Sequence, residues 1–92
     1  MNKNLMMVID NQMNPGKYTK EQLRQNASEA ATIYSNADAA EYVAFAADYA
    51  ASDYAADYVA DYVAIEHWVD QYFLETEEDK QDYIDAINKG DK

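Results

Sequence analysis

Between Gly16 and Gly90 the chain contains neither glycine nor proline, and its one proline is Pro15. So long a breaker-free stretch, rich in Ala, constrains the chain to helices. Within it runs an acid–Tyr repeat, Asp48-Tyr49, Asp53-Tyr54, Asp57-Tyr58 and Asp61-Tyr62, at steps of five, four and four residues. Four residues advance about 400° around a helix. Asp53, Asp57 and Asp61 therefore form a stripe that winds by about 40° and climbs about 6 Å per repeat. Tyr54, Tyr58 and Tyr62 flank the acids. Ala55, Val59 and Val63 fall about 200° away and make an apolar face, while Ala56, Ala60 and Ala64 leave room for another helix.

Polar punctuation divides the rest. Residues 1–18 read as a leader: Leu5 to Ile9 fits either a short strand or an apolar flap docked on helices, and Asn11 to Gly16 a turn. Residues 19–92 read as a single helical domain. Thr19 with Gln22 forms a capping box that starts a helix from Lys20 to about Tyr34, with Leu23, Ala27, Ala30 and Ile33 or Tyr34 on its apolar face. Ser35 with Asp38 forms a second box, where the chain is expected to break. A long helix is predicted from about Ala37 to Leu74, spanning roughly 55 Å, long enough that it should bend, break near Ala51-Ser52 or cover its apolar face with a partner. Thr76 as N-cap, with Asp79 three residues on, predicts a last helix that carries Tyr83, Ile84 and Ile87 inward. Lys89 and Gly90 mark its end. The expected fold is all-α: two to four helices, built on one long acidic Ala/Tyr/Asp-rich helix with shorter flanking helices. Trp68, Tyr72 and Phe73 should close that helix against the last one.

The charge is unevenly placed. Eighteen acids against seven bases give a net charge of −11, and no Lys or Arg lies between Gln25 and Asp79, where thirteen acids do. Such a field repels nucleic acid and anionic lipid and attracts basic protein surfaces. With no Cys and one His, a thiolate nucleophile and a multi-histidine metal site are excluded. His67 beside Glu66 reads as a surface or core histidine. No Gly-rich phosphate loop and no nucleophile constellation occurs, so neither an enzyme nor a cofactor is expected. Paired acids leave weak Ca²⁺ or Mg²⁺ binding as a third reading, but no loop has the EF-hand spacing. No apolar run is long enough for a membrane span, and MNKNLMMVID has no cleavage pattern, which predicts an intracellular soluble protein.

Like charges at i and i+4 cost a helix roughly 0.2–0.5 kcal/mol per pair, where an acid–Lys pair would stabilise it. An all-negative row kept at that cost points to use of the charge itself. A DNA strand carries one charge per roughly 3.4 Å of axis. Carboxylates about 6 Å apart on a winding path match it in sign and curvature. The surface expected to meet a partner comprises Asp38, Glu41, Asp48, Asp53, Asp57, Asp61, Glu66, Asp70, Glu75, Glu77, Glu78 and Asp79, with Tyr54, Tyr58 and Tyr62 as contact aromatics.

The segments KYTKEQLRQNA (Lys17 to Ala27), the Ala-Tyr-acid tract, and HWVDQYF and KQDYIDAINK (within His67 to Lys89) resemble small bacteriophage proteins with an Ala/Tyr-rich middle. In charge, size and helicity the chain is also similar to phage DNA-mimic inhibitors: anti-restriction proteins, some anti-CRISPRs, and uracil-DNA glycosylase inhibitors. That resemblance implies a competitive inhibitor in the host cell cytoplasm. Its partner would be a basic DNA- or RNA-binding protein of the bacterial host, with no direct contact to nucleic acid or membrane. A homodimer through the Ala/Val face is the expected self-association. The alternative is a structural or assembly protein whose Ala/Tyr repeats drive oligomerisation.

Overall fold

The first helix opens on a short polar side chain. Asn2 caps it, its Oδ1 accepting from the backbone N–H groups of Asn4 at 3.0 Å and Leu5 at 3.1 Å. The helix, α1 (Lys3–Met13), places Leu5, Val8 and Ile9 inside at helical spacing and ends with the Asn14 N–H on the Asp10 carbonyl. The chain then turns through Pro15-Gly16, where Gly16 takes φ +89°, a conformation that favours glycine. This computed structural model describes residues 2–33, 39–51 and 58–90; of residues 33 and 58–62 it describes the backbone alone.

Thr19 and Gln22 form the capping box read from the sequence. The Thr19 N–H donates to Gln22 Oε1 at 2.8 Å, and the Gln22 N–H to Thr19 Oγ1 at 3.1 Å. They open α2 (Lys20–Ile33), whose Leu23, Ala27 and Ala30 are buried as expected. Next come α3 (Ala40–Ala50), α4 (Tyr58–Glu75) and α5 (Lys80–Gly90). Ala39, ahead of α3, sits in the left-handed region at φ 62° with no side-chain cap. The Ser35–Asp38 box and the Ser52 break point lie outside the described residues.

The fold is all-helical among the described residues, but it is not organised on one long helix. Five helices of similar length replace it. A helix of roughly 55 Å does not fit a molecule whose longest extent is 34 Å. α3 and α4 instead pack side by side, and Trp68, just past the middle of α4, meets Tyr42 in the first turn of α3 and Phe45 at its midpoint, so the chain has reversed direction between them. α3 ends at Ala50, with Ala51 as its C-cap, at the near side of the expected break.

Three local readings change with this. Leu5 to Ile9 lies in a helix, not a strand, with Leu5, Val8 and Ile9 in the central core, and that helix runs on to Met13, so the turn begins at Asn14 rather than Asn11. The N-cap of α5 is Asp79, whose Oδ1 accepts the Gln81 N–H at 2.9 Å. Thr76 instead ends α4, donating its hydroxyl to the Tyr72 carbonyl at 2.9 Å. Gly90 falls within α5 rather than beyond it.

All five helices contribute to one core. Leu5, Val8 and Ile9 from α1 meet Ala27 and Ala30, Val43 and Ala47, Ile65 and Val69, and Tyr83 and Ile87. The four buried alanines of α3 at 40, 44, 46 and 47 let α1, α2 and α4 approach its backbone closely. Tyr72 and Tyr83 are both buried, and Phe73 meets each edge-on, at centroid distances of 5.3 and 5.4 Å. Trp68 serves the α3–α4 contact instead of closing on α5, stacked on Tyr42 at 5.8 Å and 4.9 Å from Phe45.

Candidate partner-binding surface

Helix α3 has one face inside and one in solvent. Ala40, Val43, Ala44, Ala46 and Ala47 are buried; Glu41, Phe45, Asp48 and Tyr49 are exposed. At about 100° per residue, Phe45 stands at the centre of the exposed side. Glu41 and Asp48 follow one edge, about 10 Å apart along the axis. Tyr49 and Tyr42 follow the other, toward Trp68. Phe45 is 41% and Tyr49 42% exposed, large values for aromatic side chains in so small a fold.

Helix α4 buries Ile65, Val69 and Tyr72. Its outer face, about 180° away, carries Val63, His67, Asp70 and Leu74. Val63 is therefore not on a packing face: it is 62% exposed, and Leu74 76%. The His67 ring meets the edge of Trp68 at 4.8 Å. Glu66, at the far edge from Trp68, lines a cavity of about 210 Å³ with Ile9, Gln12, Met13, Lys80 and Ile84.

Among the expected acids, Glu41, Asp48, Glu66, Asp70, Glu75, Glu77 and Asp79 are exposed. They do not form a single stripe. Glu41 and Asp48 stand on one side of the aromatic strip of α3 and Trp68, whereas Glu66 and Asp70 stand on the other side of α4. Asp79 is occupied in capping α5. Asp61, Tyr58 and Tyr62 lie in the first turns of α4, where the backbone alone is described; Asp38, Asp53, Tyr54 and Asp57 lie outside the described residues.

Glu78 differs from the rest. It is half-buried, and its two carboxylate oxygens accept the hydroxyls of Tyr72 and Tyr83. Burial pushes its pKa up, but the two hydroxyls outweigh burial and hold it below the usual value. The same contacts, with burial leading, raise both tyrosines. A second acid, Asp10, is buried and holds Lys17 Nζ at 2.8 Å, Asn14 Nδ2 at 2.8 Å and the Tyr18 hydroxyl at 2.5 Å. Both are structural acids.

The exposure of Phe45 and Tyr49 was not among the features expected from the sequence. The signal was present: Glu41, Phe45 and Asp48 stand at i, i+4 and i+7, one face of a helix. Among the described residues no group of His, Asp or Glu is arranged to hold a metal ion, and no helix is long and apolar enough to cross a membrane. Comparison with protein-family models, with curated proteins and with solved structures returns no match.

Proposed function

We propose that the protein binds the basic nucleic-acid-binding surface of another protein and blocks it competitively, as a DNA mimic of phage type acting in the host cell. The observation that carries this reading is the charge of α3 and α4. Their described acids Glu41, Asp48, Glu66, Asp70 and Glu75 all reach solvent, and neither helix contains a Lys or Arg. Carboxylates held on rigid helices present a fixed pattern of charge, so little ordering is left to be done on binding. Contacts between these carboxylates and Lys or Arg of the partner would weaken with added salt, as contacts to phosphates do.

The test is competition. Immobilised protein should retain basic proteins from a bacterial lysate at low salt, and short duplex DNA added in excess should release them. Replacing Glu41, Asp48, Asp53, Asp57 and Asp61 by their amides should abolish retention. Capture indifferent to duplex DNA, salt and these substitutions would sink the proposal.

A second reading is favoured by Val63 and Leu74, large apolar side chains three turns apart on the outer face of α4. An assembly protein that packs through this face, beginning with a homodimer, would bury them. Light scattering separates the two readings: a large oligomer insensitive to salt supports assembly, a small salt-responsive species supports mimicry.

A further inference from the structure

The acids of α3 are joined to an aromatic surface that no account based on charge alone requires. Phe45 stands in the middle of the solvent face, Tyr49 beside it, each with about two-fifths of its surface in water. Trp68 supports Phe45 from α4, 4.9 Å from its ring. Glu41 and Asp48 follow one edge, one turn before and about one turn after Phe45. Burying these rings inside would have been the cheaper arrangement, since each exposed aromatic forgoes burial of a large apolar area.

We infer that the Phe45–Tyr49–Trp68 strip, edged by Glu41 and Asp48, is an arginine-selective contact, taking guanidinium groups of a basic protein partner flat on the rings with the carboxylates alongside. A planar, weakly hydrated guanidinium can stack on a ring and donate in its own plane to a carboxylate at once. A Lys ammonium is a strongly hydrated point charge and gains less from the ring. Charge complementarity excludes a second copy of this chain as occupant, because the strip's edge and the net charge of −11 would meet their like. The inference rests on the partner-binding reading and sharpens it: the partner must show Arg, where charge alone would accept Lys equally.

Blocked hexa-arginine and hexa-lysine peptides test it on the whole protein. Affinity is read by calorimetry and by the fluorescence of Trp68, the only tryptophan. The arginine peptide should bind about fivefold more tightly, and the preference should persist at physiological salt. Phe45→Leu and Tyr49→Leu keep apolar bulk on exposed positions and should fold; together they should bring the preference below about twofold while leaving hexa-lysine affinity unchanged. Equal affinity for the two peptides, both salt-dependent, overturns the arginine contact and leaves the charge reading standing. A preference that survives both leucine substitutions overturns it as well. Binding of neither peptide at low salt overturns the contact and the partner-binding proposal together.

Discussion

The backbone N–H of Asn2 donates to the hydroxyl of Tyr83 at 2.8 Å, a bond between residues 81 apart in sequence. Asn2 caps α1, and the Tyr83 hydroxyl in turn donates to Glu78 Oε1. The start of α1, the α4–α5 junction and α5 are therefore tied at one point. Tyr83→Phe keeps the ring in the core but strands the Asn2 donor and frees one Glu78 oxygen. A loss of about 1–3 kcal/mol is expected in urea denaturation. Tyr72→Phe removes one bond to Glu78 and strands no backbone group, so it should cost less. Equal losses from the two would show that the Asn2 bond contributes nothing.

Acid should weaken the fold through Asp10 and Glu78. In each, burial raises the pKa and is outweighed, by Lys17, Tyr18 and Asn14 at Asp10 and by Tyr72 and Tyr83 at Glu78. A carboxyl held below its unfolded value contributes stability above that value and loses it as pH falls through the folded one. The usual values are 3.8 and 4.5, so the urea midpoint should begin to fall below about pH 4.5. Protonating the exposed acids relieves repulsion and works the other way. Asp10→Asn and Glu78→Gln separate the two effects: each should flatten the acid limb. The same bonds raise Tyr72 and Tyr83, whose contribution is present below their usual value of 10.0 and is lost as pH rises past it.

Helix starts and apolar faces were legible where a local rule decides them. The Thr19–Gln22 box and the inward residues of α2 and α5 needed only spacing, although the cap of α5 fell on Asp79 and not on Thr76. The helix α1 was harder to read because Asn4 and Asp10, both buried, interrupt its apolar pattern. Asn4 is satisfied by Asn26 of α2, its Nδ2 donating to Asn26 Oδ1 at 2.9 Å, a partner 22 residues away. The division into α3 and α4 was legible only as one of three outcomes (a bend, a break or a partner), for a related reason. Ala, Tyr and Asp favour no particular end point, and the gain that ends α3 comes from packing against α4. The surface was half legible: its sign followed from composition, but the exposure of Phe45, Tyr49, Val63 and Leu74 depends on which side each helix turns inward.

Asn4 and Asn26 predict a non-additive pair. Asn26→Leu leaves the buried Asn4 amide without its short partner, retaining the Glu29 carboxylate at 3.3 Å, and should cost about 1–3 kcal/mol. Adding Asn4→Leu removes the stranded group and should recover part of that loss, measured as a double-mutant cycle. Additive losses would mean that the two amides act independently.

Gln12 should be a site of gain. Its Nε2 is buried without a hydrogen-bond partner among the described residues, beside Ile9, Met13 and Ile84. Gln12→Met has nearly the same length, suits a helix and leaves nothing to desolvate, so thermal and urea denaturation should show about 1 kcal/mol of added stability. A loss on substitution would mean that the amide finds a partner in solution.

Val63 and Leu74 decide between mimicry and assembly without disturbing the fold. Both are more exposed than buried, so Val63→Thr with Leu74→Gln should change stability by no more than about 0.5 kcal/mol each. If charge on α3 and α4 performs the binding, the double variant should capture basic proteins as the parent does, with the same salt dependence. If the outer face of α4 builds an oligomer, the variant should fall to a smaller species in light scattering while the amide substitutions at Glu41 and Asp48 leave the oligomer intact. The two substitution sets lie on the solvent-facing sides of different helices, so their effects should add where both surfaces are used.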